Sequence, residues 1–216
     1  MDTALIDYLA RWGHFLAGIT WIGLLYYFNF VQTEYFKEAD GDARTDAFSK
    51  LVPRALWWFR WGAMLTFLTG LIMLGIRGAG VTLDITVGAV LGTLMFLNVW
   101  LIIWPNQKIV IASNQQVKAG GEALPAAAGA APKAGLASRT NTLFSIPMLF
   151  FMGSSAHYAH GGLDGNTTAL IVSLVIIAAL EVNAIAGKQG PMTTVKGVIT
   201  CGFGLTAVLW AVVALL

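Results

Sequence analysis

The sequence predicts an all-α protein, a polytopic transmembrane helix bundle of about six spans with both termini on the outer, periplasmic side. Three observations carry this expectation. Hydrophobic residues make up 57% of the 216 and charged residues only 11%, against about 25% charged in an ordinary soluble domain, and mean hydropathy is +0.71. The apolar residues gather into six runs, each near the roughly 20 residues that a helix needs to cross hydrocarbon. The basic residues alternate between connections: eleven on one side of the six runs and two, Arg11 and Arg77, on the other. Basic flanks stay on the cytoplasmic side, so the termini are expected outside. A multi-pass membrane protein, organised as one transmembrane domain over residues 1–216, follows.

The first run, Trp12–Gln32, carries no formal charge, yet it holds His14 near one end and Asn29 near the other. It is longer than a signal-peptide core, and Thr33-Glu34-Tyr35-Phe36 offers no small-residue cleavage site, so a retained helix is expected. A cytoplasmic loop, 33–56, follows with charges of both signs; it reads as a short solvated helix broken at Asp40-Gly41-Asp42. Pro53 is expected just ahead of the second run, Trp57–Ile76, whose Trp57, Trp58 and Trp61 suit the membrane interface. The third run, Leu83–Trp104, includes Gly88 and Gly92, a small-residue pair suited to helix packing. Residues 119–137 are nearly all Ala, Gly and Pro and read as a flexible cytoplasmic linker. Thr142–Tyr158, Ala169–Ala186 and Val198–Leu216 complete the six.

Ionisable residues inside a span are costly and point to function by default. Counting along each helix puts His14, His157 and His160 near the outer boundary. Imidazoles from two helices at one depth suit an iron, so His14 and His157 are expected as ligands of a b-type haem, with His160 as a further candidate; copper or zinc would accept the same nitrogens. In the cytoplasmic half, Asn29, Asn98, Arg139, Asn141 and Glu181 form a second group. Amides and a guanidinium suit a planar anion, and Glu181 is expected either to pair with Arg60 or Arg139 or to be protonated. Structural readings stand beside these: a histidine at an interface is commonly a wet polar cap, and buried asparagines can simply hold helices together. The single cysteine, Cys201, excludes an intramolecular disulfide and reads as a buried, inert thiol. The net charge of +2 and the scattered basic residues give no nucleic-acid surface. The lipid bilayer is the expected partner.

The runs H-F-L-A-G-I-T-W-I-G-L-L-Y-Y-F-N-F-V-Q at 14–32, I-W-P-N-Q-K at 103–108 and S-R-T-N-T-L-F-S-I-P-M-L-F-F-M-G at 138–153 closely resemble the membrane domain of bacterial membrane-bound urate oxidases (urate hydroxylases). That family joins a multi-helix membrane domain to a C-terminal cytochrome c domain and oxidises urate to 5-hydroxyisourate. The resemblance implies an oxidoreductase role, a small anionic substrate such as urate, and electrons leaving on the outer side. The sequence departs from the pattern in having six spans where the family domain has more, and in containing no C-x-x-C-H. A cytochrome c or a respiratory complex on a separate chain is therefore the expected electron acceptor. Two other roles fit the composition: a haem-free accessory subunit of a membrane complex, and a small-anion transporter with Glu181 as its proton-coupled group.

Overall fold

A computed structural model describes residues 2–164 and 166–216. The described residues form helices and no strand. Six long helices run α1 Thr3–Glu38, α2 Gly41–Arg77, α3 Leu83–Lys118, α4 Pro125–His157, α5 Thr167–Ala186 and α6 Val195–Leu215. All of them except α4 are long and apolar enough to cross a membrane. The Asp2 carboxylate and the Thr82 and Thr194 hydroxyls accept from backbone N–H groups in the first turns of α1, α3 and α6, and so set where these helices begin.

Several helices run past the ends that hydrophobicity gives them. α1 begins nine residues before Trp12, and α2 takes in most of the 33–56 loop, with Pro53 inside the helix rather than ahead of it. The chain breaks where expected, at Ala39 and Asp40, both with extended ψ. The expected linker is helical from Pro125 onward and supplies the first turns of α4. Alanine is the strongest helix former, and proline at the first helical position gives up only an N–H that has no intrahelical partner. The Ala-rich composition was therefore a helix signal read as a flexible one. Beyond the apolar stretches, Asp46 of α2 bonds to Lys118 at the end of α3 and to Lys50, which holds its carboxyl down at about 2.

α4 is the central helix, in contact with α1, α3, α5 and α6. Its Arg139, Thr140, Asn141, Thr142 and Ser145 side chains are thus buried against protein. Gly88 and Gly92 bring α3 close to Met152 and Met148 of α4; a Cβ on Gly88 would stand 3.2 Å from the Met152 backbone nitrogen. The packing role expected of this glycine pair is what the two helices show. Cys201 is a free thiol, half-buried rather than fully enclosed.

The regular α-helical pattern fails at two places. Tyr27–Gln32 of α1 and Asn98–Ile103 of α3 are π-helical. A π turn displaces carbonyls from their usual donors, and side-chain amides and a hydroxyl fill the gaps. Asn29 donates to the Leu25 carbonyl, Thr33 to Phe28, Asn141 to Met95 and Asn106 to Ile102. Pro105 stands just after the second π segment and has no N–H to give.

Candidate functional site

At the end of the bundle that carries the chain termini, α1 and α4 run in opposite directions and are set level by the bond between the Tyr26 and Ser145 hydroxyls, 2.9 Å. His14 lies twelve residues from Tyr26 and His157 twelve from Ser145, both toward that end. The two histidines therefore rise together, roughly 18 Å above the hydroxyl pair at 1.5 Å per residue. His14 is half-buried against α2, with its Nδ1 3.0 Å from Thr69 Oγ1. The Thr69 hydroxyl also lies 2.6 Å from the Leu65 carbonyl and 3.0 Å from the Thr66 carbonyl, so it is free to donate to a carbonyl when His14 takes the tautomer with Nδ1–H. In that tautomer the lone pair of neutral His14 is on Nε2. His157 is the last residue of α4, with an exposed side chain.

The helix does not continue to His160, because Tyr158 leaves helical geometry at φ −154°, so His157 and His160 share no helix face. His160 instead folds over the start of α3. Its backbone N–H donates to Asp84 Oδ2 (2.8 Å) and its Nδ1 lies 2.9 Å from Asp84 Oδ1. Ser154 of α4 donates to the same Oδ1 at 2.6 Å, and the Asp84 carboxylate is fully buried. Hydrophobicity hid Asp84 from sequence reading, since it sits at the mouth of the third apolar run and looks like an ordinary first-turn acid.

At the opposite end the polar residues separate into two sets. Asn98 donates to Asn141 Oδ1 (3.0 Å) and to Glu181 Oε2 (3.1 Å), while Asn141 donates to Met95 O. Glu181 thus has an amide for a partner, and of its two expected states the pairing with Arg60 or Arg139 is absent; the Arg60 guanidinium stacks on Trp104 at 3.4 Å. Asn29 donates to Ser138 Oγ at 2.8 Å as well as to Leu25. These groups largely satisfy one another. Arg139 does not share in this: its side chain is 5% exposed, Nη2 reaches only Glu34 at 4.0 Å, and Nη1 has no partner among the described residues. A buried guanidinium with one free edge is the least satisfied charge at this end.

The sequence model described as urate oxidase N-terminal matches residues 79–214. The chain belongs to the urate oxidase N-terminal family. The matched region holds Asn98, Arg139, Asn141, Glu181, His157, His160 and Asp84, whereas His14 and Asn29 precede it. No curated protein and no solved structure matches the chain. In this family member, the I-W-P-N-Q-K and S-R-T-N runs therefore have a structural meaning: Asn106 and Asn141 serve the second π segment, and Arg139 is left with a free donor edge.

Proposed function

We propose that this urate oxidase N-terminal family member is an integral-membrane redox protein of the bacterial inner membrane, with both termini outside. It binds urate or a related planar anion in its cytoplasmic half and delivers electrons outward. The observation that carries the reading is Arg139, buried with an unpartnered Nη1 inside a chain of a urate-related family. Urate is largely anionic at neutral pH, and a guanidinium presents paired donors to such an anion. Asn98, Asn141 and Glu181, bonded to each other, brace the helices around Arg139, and Asn29 fixes α1 against α4 beside it. Hydroxylating urate with water releases two electrons and two protons, so an acceptor is required.

His14 and His157 hold a b-type haem in this proposal. What supports it is that His14, packed against Thr69 of α2, carries its lone pair on Nε2 in the tautomer with Nδ1–H, and that it is level with the exposed His157 at the end of antiparallel α4. Such a haem would supply a one-electron acceptor near the outer face, filled twice for each urate as a separate cytochrome c or respiratory complex draws the electrons off one at a time. Thr69 fixes the ring orientation of His14, the role that outer partners of ligating histidines serve.

Absorption spectra of the purified protein, oxidised and dithionite-reduced, test this half of the proposal. A Soret band with sharp α and β bands on reduction is expected, and His14→Ala should remove or shift them. A protein expressed with ample haem that shows no such bands would contradict the haem assignment.

A further inference from the structure

Two cations at the basic end stand against one indole and have no acid beside them. The Arg60 guanidinium of α2 lies 3.4 Å from the centroid of the Trp104 ring on α3, and the Lys108 ammonium, one helical turn on from Trp104, lies 5.6 Å from the same centroid. The two charges are therefore no farther apart than the sum of those distances. Among the described residues neither takes part in an ion pair; the pairs that form use other bases. Arg60 donates its Nε–H to the Leu56 carbonyl at 3.2 Å, and its terminal nitrogens bond to no described residue. Arg60 is half-buried and Lys108 exposed, so both charges can be reached from the surface. The Trp104 ring holds Arg60 by its face, which fixes the position of the charge without neutralising it.

The height of the pair and the surface beside it narrow the occupant. Trp104 closes the third apolar run, and Arg60 lies in the first turn of the second, beside the exposed Trp57, Trp58 and Trp61. Tryptophan gathers where hydrocarbon meets headgroups, so the pair stands at headgroup level of the leaflet at the basic end. From there a line of rings leads toward the middle of the bundle. Trp100 meets Trp61 edge-on at 5.8 Å and Phe96 at 6.5 Å, and Phe96 stacks on Phe67 at 4.2 Å. Leu65 of α2 and Leu97 and Leu101 of α3 are exposed at these heights. A soluble anion gains nothing from such a face, whereas acyl chains bury it.

We infer that Arg60 and Lys108 hold the phosphate of an anionic phospholipid, whose acyl chains lie along this face of α2 and α3. A phosphodiester accepts from the guanidinium through two oxygens and from the ammonium as a point charge. A phosphocholine headgroup adds a trimethylammonium that both cations repel. Basic pockets between spanning helices on the cytoplasmic side take anionic headgroups for this reason. The inference rests on the bundle crossing a membrane and is independent of the urate reading.

Lipid retention tests it. The full chain is purified in detergent from vesicles of equal phosphatidylglycerol and phosphatidylcholine, and the phospholipid that stays bound is quantified. The wild type should retain phosphatidylglycerol over phosphatidylcholine by more than about ten-fold. Arg60→Gln and Lys108→Gln should each lower that ratio about five-fold, the worth of one basic residue at a membrane surface. Lys108→Arg should keep the wild-type ratio, as should Lys196→Gln, which removes an exposed charge elsewhere at the same end. In phosphatidylcholine alone Lys108→Gln should melt with the wild type, while added phosphatidylglycerol raises the midpoint of the wild type only. Equal retention of the two lipids by the wild type overturns the inference, and so does an unchanged ratio in both glutamine variants. A matching fall in Lys196→Gln also overturns it, because the attraction would then be diffuse. If inorganic phosphate in phosphatidylcholine raises the midpoint as much as phosphatidylglycerol does, the site is one for a free anion and the lipid assignment fails.

Discussion

Replacing Arg139 with methionine should weaken urate binding a hundred-fold or more and at the same time raise the thermal midpoint of the ligand-free protein. Both effects come from one feature, a guanidinium that is 5% exposed with Glu34 4.0 Å away as its nearest carboxylate and Nη1 unpartnered. Removing one partner of a buried, hydrogen-bonded charge pair costs roughly 2–5 kcal/mol of binding. In the absence of ligand the sign reverses. Replacing incompletely paired buried charge with an apolar chain of similar length is neutral to stabilising, by about 1–4 kcal/mol in comparable cases. Glu34 is 42% exposed on its side chain, so water screens the one compensating charge. Arg139→Lys keeps the charge but loses the two-pronged geometry, and should fall between methionine and wild type in urate affinity. Equilibrium binding and thermal unfolding in the same detergent check both signs. A methionine variant that is less stable and binds urate normally would make Arg139 a structural residue.

Asp84→Ala should produce the largest loss of stability of any single polar substitution, about 3–5 kcal/mol. The fully buried carboxylate accepts from Ser154 Oγ, the His160 backbone N–H and His160 Nδ1, at 2.6 to 2.9 Å. Truncation strands all of these donors at once and frees the 158–163 loop from α3, where Leu83 N–H also bonds to the Gly161 carbonyl. Asp84→Asn keeps an acceptor and should recover part of the loss. Since the node lies at the opposite end from Arg139, urate affinity of the folded fraction should stay within about two-fold, as expected for sites that share no partners. Chemical denaturation with an α-helical readout, run beside binding, separates the two effects.

The helix count and the breaks between helices were legible because apolar runs of spanning length and Asp-Gly turns leave strong local signals. The histidine level was legible for a related reason: α1 and α4 are antiparallel and helical between their anchor residues and their histidines, so counting residues measures height along the bundle. Three features were not. The 125–137 helix is hidden because its alanines stand among glycines and prolines, although Ala137 and Ala134 pack against protein. The π segments were invisible because the amides that satisfy them lie elsewhere in the chain or read as ordinary polar residues; Asn141 serves Met95 O from 46 residues away. The division of the polar group into a satisfied set and a stranded arginine depends on tertiary contacts alone. From sequence, Glu181 looked like the natural partner of an arginine, and Asn98 takes that place.

Anaerobic titration of the oxidised protein with urate, followed at the haem α band, tests the central claim most directly. Urate bound at Arg139 should reduce the chromophore to the extent that dithionite does, while Arg139→Met should reduce with dithionite and stay oxidised with urate. A chromophore that dithionite reduces and saturating urate leaves oxidised, or an Arg139→Met variant that responds to urate as the wild type does, would contradict it.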